Sequence, residues 1–217
     1  MRKPVRLSMT LAMLALAPIA IAQPGSTDQP PPESRSVIKN GNIHIRPENR
    51  NMPSVIIPNT VGARGIRPRW PYFHDYQIST PARSRNPATV ANAFAGNPTP
   101  GDDDRASPQG TLNNAGHVYM QPDFGVNLVR SFTVKSPDPA RFTDITVNYT
   151  VDGHHMLNEG FLLHFGEILP SGQIVNVSYG EGNAFRQGNW TKPMWWPEVR
   201  LIWENHHREI NRILEGR

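Results

Sequence analysis

Proline is distributed unevenly along this chain, and its distribution limits where long helices and central strands can form. Of the 22 prolines, 14 fall between residues 23 and 110, where glycine, asparagine, serine and arginine fill much of the rest. Proline lacks a backbone N–H and fixes φ, so a segment this rich in it favours an extended, solvated linker. The sequence therefore predicts a Pro-rich, mostly disordered arm over residues 23–110 and a folded domain over residues 111–217.

The first 22 residues are typical of a signal peptide. Three basic residues precede an apolar run from Leu7 to Ala17, and Ala20 and Ala22 supply the small side chains that signal peptidase requires. A membrane anchor is the weaker alternative, because Pro18 interrupts a stretch already short for a bilayer. We expect cleavage after Ala22, export to the periplasm or the secreted space, and no membrane span in the mature chain.

Two segments of the arm carry ordering signals. Asn40 and Gly41 form the pair preferred in two-residue hairpin turns, and β-branched residues flank them. The segment from Arg69 to Tyr76 contains four aromatic residues and could dock onto the folded domain.

The C-terminal half has the periodicity of a small α+β domain. The alternation is clearest between Ile145 and Val151. Four segments are predicted strands: Gly125 to Lys135, Ile145 to Val151, Phe161 to Leu169, and Ile174 to Tyr179. Their short connections favour an antiparallel meander of four to five strands, with one C-terminal amphipathic helix packed on a face.

The predicted C-terminal helix begins at Pro197, since proline is well tolerated in the first helical position. Its apolar stripe is Val199, Ile202, Trp203, His206, Ile210, Ile213 and Leu214. His207 falls on the opposite, charged face. On this stripe His206 is predicted to be a core histidine rather than a metal ligand.

Charge argues against a simple nucleic-acid-binding protein. After removal of residues 1–22 the chain has 19 basic against 18 acidic residues, and residues 111–217 have 9 against 11. A basic footprint on the folded part is therefore not visible. The chain has no cysteine, which excludes a thiol nucleophile and a disulfide framework.

The first candidate site is the polar cluster around His154, His155 and Glu159. Histidine transfers protons near neutral pH, and carboxylates orient it. On an extended chain His155 and Glu159 share one face while His154 lies on the other. An exposed polar turn is the alternative interpretation. The spacing does not match a zinc motif, and no metal or other cofactor is predicted.

The second candidate is the glycine-rich segment that follows the last strand. Glu181 lies between two glycines, Asn183 follows, and Arg186 comes shortly after. A glutamate in such a turn could combine with Arg186 and a histidine for acid–base chemistry with anion stabilisation, as in phosphodiester hydrolysis. A solvated glutamate in a turn is the alternative.

A third feature is the group of tryptophans before and within the helix. Trp190 is the candidate for exposure, where it could stack on a sugar or peptide. Trp203 is predicted to be core. An unknown protein or glycan could therefore bind through the Trp-rich loop or the Pro-rich arm.

Three functions follow from these observations. The composition favours an exported, non-catalytic binding module of the cell envelope or secreted space. The layout, and the segment Gly180 to Asn183, resemble small exported toxin domains of bacterial competition systems, which implies a small hydrolase using His155, Glu159, Glu181 and Arg186. The third alternative is a structural subunit whose Pro-rich arm orders on a partner.

Overall fold

The computed structural model describes residues 35–63, 65–100, 104–115, 128–151, 159–183 and 191–216. The strands, in chain order, are β1 (Ser36–Lys39), β2 (Asn42–Ile45), β3 (Val55–Pro58), β4 (Phe73–Pro81), β5 (Thr111–Asn114), β6 (Leu128–Val134), β7 (Ile145–Thr150), β8 (Glu159–Ile168) and β9 (Ile174–Asn183). The helices are α1 (Pro87–Gly96) and α2 (Lys192–Leu214). None of the helices in these ranges is both long and apolar enough to cross a membrane.

The chain is an α+β protein with antiparallel sheets and a C-terminal helix. The larger sheet has six strands in the order β4-β9-β8-β7-β6-β5, so the predicted number of four to five is wrong. Consecutive strands β5 to β9 form the expected meander. The sixth strand, β4, pairs antiparallel with the free edge of β9.

Strand β4 lies within the predicted arm and begins in the aromatic segment Arg69 to Tyr76, for which docking onto the folded domain was the alternative to a linker. The pairing of β4 with β9 is such a docking contact. Its His74, Tyr76 and Ile78 are buried and alternate with more exposed residues, which is the pattern of a half-buried strand. Pro71 and Pro81 stand at its two ends, where proline costs no interior ladder bond. The prolines that suggested disorder therefore mark the ends of an ordered element.

The same correction applies to much of the predicted arm. Within the span 23–110 the structure contains β1 to β4 and α1, and these elements belong to one unit, Pro32–Arg217, with the C-terminal half. The hairpin prediction is confirmed: Asn40 and Gly41 have φ of 51° and 72° and connect β1 to β2. Aliphatic side chains of β2 and β3 are buried in the core, and the removal of this apolar surface from water stabilises the short strands.

The six-stranded sheet is covered on both faces. One face packs against the three-stranded sheet β1-β2-β3, through residues such as Ile43, Ile57, Phe132, Leu163 and Tyr179. The opposite face packs against α1 and α2, through residues such as Tyr76, Leu162, Phe94, Trp203 and Ile210. Because side chains alternate along a strand, β8 contributes Leu163 to the first interface and Leu162 to the second.

Helix α2 begins at Lys192, five residues before the predicted start, and Pro197 lies inside it. Lys192 Nζ donates to the main-chain oxygen of Asp75 at 2.8 Å, and Trp196 packs against Tyr76, so the first turn is held to β4. These contacts offset the backbone hydrogen bond that Pro197 cannot make. Trp203 is core, as predicted.

Candidate functional site: a buried glutamate beside an arginine-lined cleft

Glu181 lies inside strand β9 rather than in a turn after it. It stands opposite Asp75 of β4 and Phe161 of β8, on the face that packs against the three-stranded sheet. Its side chain is 2% exposed, at a position where the strand pattern otherwise places apolar residues such as Val177 and Tyr179. A carboxyl group buried among core residues is costly unless it has a function or strong partners.

The glycines beside Glu181 are required by close packing within the sheet. A Cβ on Gly180 would lie 2.5 Å from the ring of Tyr76, and one on Gly182 would lie 2.8 Å from the main-chain oxygen of Glu159. The glycines thus allow β4 and β8 to approach β9 on the side away from Glu181. Sequence reasoning singled out the correct glutamate but explained its glycines wrongly.

One oxygen of Glu181 is well satisfied and the other is not. The Tyr179 hydroxyl donates to Oε1 at 2.5 Å, and the main-chain N–H of Glu48 donates to the same oxygen. Oε2 is buried and has no hydrogen-bond partner among the described residues. Burial raises the pKa of Glu181 to about 7, against the opposing effects of the Tyr179 hydrogen bond and the positive charge of Arg35. This carboxyl group can therefore exchange a proton at neutral pH.

The segment that donates to Glu181 also forms the wall of a cleft. The cleft has a volume of about 400 Å³. It is lined by Arg35, Arg46, Pro47, Glu48, Arg50, Met52 and Ser54. Most of these residues lie in the loop between β2 and β3, and Arg35 immediately precedes β1. The hairpin and its neighbouring strand thus bring three arginines together.

The charge of the cleft is positive. Arg35 forms an ion pair with Glu48, and its Nε is buried without a hydrogen-bond partner in the described part of the chain. Arg46 and Arg50 are exposed and make no ion pair with any residue that the structure describes. Guanidinium groups stay charged at all physiological pH values and present several N–H donors in one plane. The arrangement suits an anionic ligand.

Glu159 and Asn183 both contact the segment that leads into β4. Arg69 Nη2 pairs with Glu159 Oε1 at 3.2 Å, and the main-chain N–H of Arg69 donates to Asn183 Oδ1 at 3.0 Å. Asn183 Nδ2 donates to the main-chain oxygen of Arg67 at 2.9 Å and to Glu159 Oε2 at 3.3 Å. These two side chains hold the segment that leads into β4. The catalytic role of Glu159 and the binding role of Asn183 stay predictions.

The remaining candidates, His154, His155, Arg186 and Trp190, lie outside the described residues. The first two belong to the connection between β7 and β8, and the other two to the connection between β9 and α2. Their proposed catalytic and binding roles stay predictions.

Sequence reasoning missed the three arginines of the cleft and Tyr179. The arginines lie in the segment that the proline content predicts to be a disordered arm, and such a prediction places no side chains together. The alternation of buried Ile43, Ile45, Val55 and Ile57 with more exposed residues is the signal that could have located them, because it marks two paired strands.

A second polar cluster lies on the other face of the six-stranded sheet, under α2. Seven side chains form a hydrogen-bonded chain, in this order: Asn113, Ser131, Asn148, His164, Ser178, His207 and Thr80. Six of them come one each from the six strands, and His207 comes from α2. His207 is fully buried, so its prediction as an outer-face residue is wrong.

One hydroxyl group bridges the two histidines of this chain. Ser178 Oγ lies 2.7 Å from both His164 Nδ1 and His207 Nε2, while Asn148 Nδ2 lies 3.4 Å from His164 Nε2 and Thr80 Oγ1 lies 3.0 Å from His207 Nδ1. Because the Ser178 hydroxyl has a single proton to donate, one of its two ring nitrogens accepts from it and the other donates to it, which couples the tautomers of the two rings. Burial lowers the pKa of His207 to about 3 and the pKa of His164 well below its usual value, so both rings are neutral.

His206 is the core histidine that its stripe predicts. Its Nε2 donates to the main-chain oxygen of Asn97 at 2.9 Å, and burial lowers its pKa to about 4. Across the described ranges, no three His, Asp or Glu side chains are arranged to hold a metal ion.

Comparisons with known proteins give limited information. No family model matches the chain, and no curated protein matches its sequence. Among solved structures, the crystal structure of Ara h 8.0201 is 10% identical with a TM-score of 0.38, over 67% of this chain and 99% of that chain. The solution structure of Arabidopsis thaliana protein At1g70830, a member of the major latex protein family, is 13% identical with a TM-score of 0.34, over 63% and 94%. Both likenesses are weak, so the proposals below rest on this chain's own residues.

Proposed function

We propose that this protein is an exported binding module that holds an anionic ligand in the cleft formed by Arg35, Arg46 and Arg50. The observation that carries the proposal is the excess of guanidinium groups over carboxylates around one concave space of about 400 Å³. Export is inferred from the features of residues 1–22.

The chemistry of the cleft favours a ligand with a phosphate-like or sulfate-like group. Guanidinium groups bind tetrahedral oxyanions through charge-assisted, often bidentate hydrogen bonds. The cleft is larger than one such group and falls within the usual size range of ligand pockets. Pro47 and Met52 add an apolar wall, which suits a ligand with an uncharged body next to its anionic group.

We expect the double variant Arg46→Gln/Arg50→Gln to bind a dianion about tenfold or more weakly than the unaltered chain, because each arginine contributes charge-assisted hydrogen bonds. Both side chains are exposed, so the fold should be unaffected. Isothermal titration of the full chain with sodium sulfate measures the effect.

The double variant Arg67→Gln/Arg85→Gln is the matched control for this experiment. It removes the same two charges from exposed positions that do not line the cleft, and its affinity should equal that of the unaltered chain. If both variants weaken binding equally, the anion is attracted by overall charge and the cleft is not its site.

Hydrolysis of a phosphodiester is the second candidate function. Glu181 supports it, because a carboxyl group with a pKa of about 7 can accept a proton from an attacking water and later return it to the leaving oxygen. The water oxygen then forms the new bond to phosphorus as the P–O bond to the leaving group breaks. Arg35 would stabilise the added negative charge.

The hydrolase alternative predicts that Glu181→Gln lowers the rate of nitrophenyl phosphodiester cleavage by about a hundredfold. The exposed Glu198 of α2 supplies a control, Glu198→Gln, which should keep full activity. Equal turnover by both variants would exclude Glu181 as the acid–base group, and no turnover by the unaltered chain would favour the binding module.

The structural-subunit alternative receives less support. It needs an arm that is free to order on a partner, whereas residues 35–63 and 65–100 already pair and pack within their own chain.

A further inference from the structure

Glu48 connects Glu181 to the arginine-lined cleft. The main-chain N–H of Glu48 donates to Glu181 Oε1, while its carboxylate pairs with Arg35 inside the cleft. The next residue, Asn49, donates its N–H to the Tyr179 hydroxyl at 3.3 Å, and that hydroxyl donates to Glu181. The wall of the cleft is therefore fastened directly to the buried carboxyl group.

Several charged or titratable groups face Glu181 from the elements packed against it. They are Arg35 from the segment before β1, Glu48 from the loop between β2 and β3, Asp75 from β4, Glu159 from β8 and Tyr179 from β9 itself. Arg35 is the one positive charge in this set, and it also lines the cleft. An anion bound to Arg35 would engage the charge that favours the ionised form of Glu181.

A negative charge on Glu181 therefore opposes a negative charge in the cleft. Two like charges in a partly buried region repel one another more strongly than in bulk water. Protonation of Glu181 removes the repulsion, and the free oxygen Oε2 can take the proton while Oε1 keeps both of its hydrogen bonds. A neutral carboxyl group also costs less than a carboxylate when one oxygen is buried without a partner.

We propose that the cleft binds its anionic ligand together with one proton, which Glu181 takes up. The proposal rests on the anion-binding function above and adds its regulation. The ligand-bound protein holds more protons than the free protein, so affinity rises as pH falls through the titration of Glu181 and is lost as pH rises. An anion held at mildly acidic pH would be released at mildly alkaline pH.

The test uses sulfate, because it stays a dianion throughout the neutral range and its own charge cannot cause a pH effect. We expect the full chain to bind sulfate about tenfold more tightly at about pH 6 than at about pH 8.5. Titrations at about pH 7 in buffers of different ionisation enthalpy should show net proton uptake on binding.

Two variants separate Glu181 from other titrating groups. Glu181→Gln has the shape of the protonated side chain, so it should bind sulfate at all pH values with the affinity that the unaltered chain has at acidic pH. Tyr179→Phe removes a hydrogen bond that favours the ionised form, so its affinity should persist to higher pH. Either variant is sufficient if the other fails to fold.

The outcomes distinguish this proposal from the function it rests on. Sulfate binding with equal affinity at all pH values, without proton uptake, would leave the binding module intact and overturn the proton coupling. A pH dependence that survives in Glu181→Gln would overturn it as well. Failure of the folded, unaltered chain to bind sulfate at any pH would overturn both proposals.

Discussion

Acidification to about pH 4.5 should unfold this protein, with the uptake of about three protons. Four histidines are buried and neutral: His74, His164, His206 and His207. Burial lowers the pKa of His74 and His206 to about 4 and that of His207 to about 3, while all four would titrate near their usual value in the unfolded chain. Their contribution to stability is fully present above about pH 6.5 and is lost as pH falls.

The loss of stability from protonation of the four histidines is comparable to the whole free energy of unfolding of a small protein. Each histidine with a pKa near 4 costs about 3 kcal/mol by pH 4, against a total stability of about 5–15 kcal/mol for a typical domain. Glu181 changes the stability in the opposite direction. Its pKa is raised to about 7 in the folded protein, so between its unfolded pKa and about 7 the folded state binds this proton better than the unfolded state. The net number of protons taken up on unfolding is therefore about three rather than four.

Urea denaturation at a series of pH values, followed by tryptophan fluorescence, measures the number of protons from the slope of unfolding free energy against pH. His206→Gln can keep a donor to Asn97 and should reduce the slope by about one proton. Leu201→Gln introduces the same side chain at an exposed position of α2 and removes no titratable group, so it should leave the slope unchanged. A flat profile between about pH 7 and pH 4 for the unaltered chain would contradict the burial of neutral histidines.

The second large effect is expected at Ser178. Ser178→Ala removes the hydroxyl that joins His164 Nδ1 to His207 Nε2, with both distances 2.7 Å. Two ring nitrogens are then buried without partners, at a cost of about 1–3 kcal/mol each. We expect the free energy of unfolding to fall by about 3 kcal/mol, and the nitrogen NMR shifts of both rings to lose the pattern of fixed tautomers.

Ser171→Ala is the control for this variant. Ser171 is exposed in the turn between β8 and β9, so its loss should change stability by less than about 0.5 kcal/mol. If the two serine variants have equal stability, the chain of hydrogen bonds contributes nothing to the fold.

The parts of the fold with strict periodicity were predictable. β7 alternates over its whole length and was located to within one residue, and the stripe of α2 correctly placed Trp203 and His206 in the core. β4 was predictable only as a possible docking segment and not as a strand, because its alternation covers only a few residues and includes polar ones. The composition of the 88 residues 23–110 is dominated by proline, and this conceals the short alternating pattern between Pro71 and Pro81.

The candidate site was predictable in one residue only. Glu181 could be selected because it lies between two glycines after a predicted strand, but its partners are far away in sequence. Glu48 donates to it across 133 residues, and Asn49 donates to Tyr179 across 130. Such contacts depend on how two sheets pack, which no local pattern specifies.

The hydrogen-bonded chain of seven side chains across the six-stranded sheet affects the register in which the strands can pair. Side chains alternate between the two faces of each strand, so a slip of one residue in any strand would replace its polar member with a neighbour from the opposite face. Each such slip would break the chain and leave buried groups on both sides of the gap without partners. The registers of all six strands are thus coupled, and a shift in one strand destabilises the sheet by leaving polar groups of the adjacent strands without hydrogen bonds.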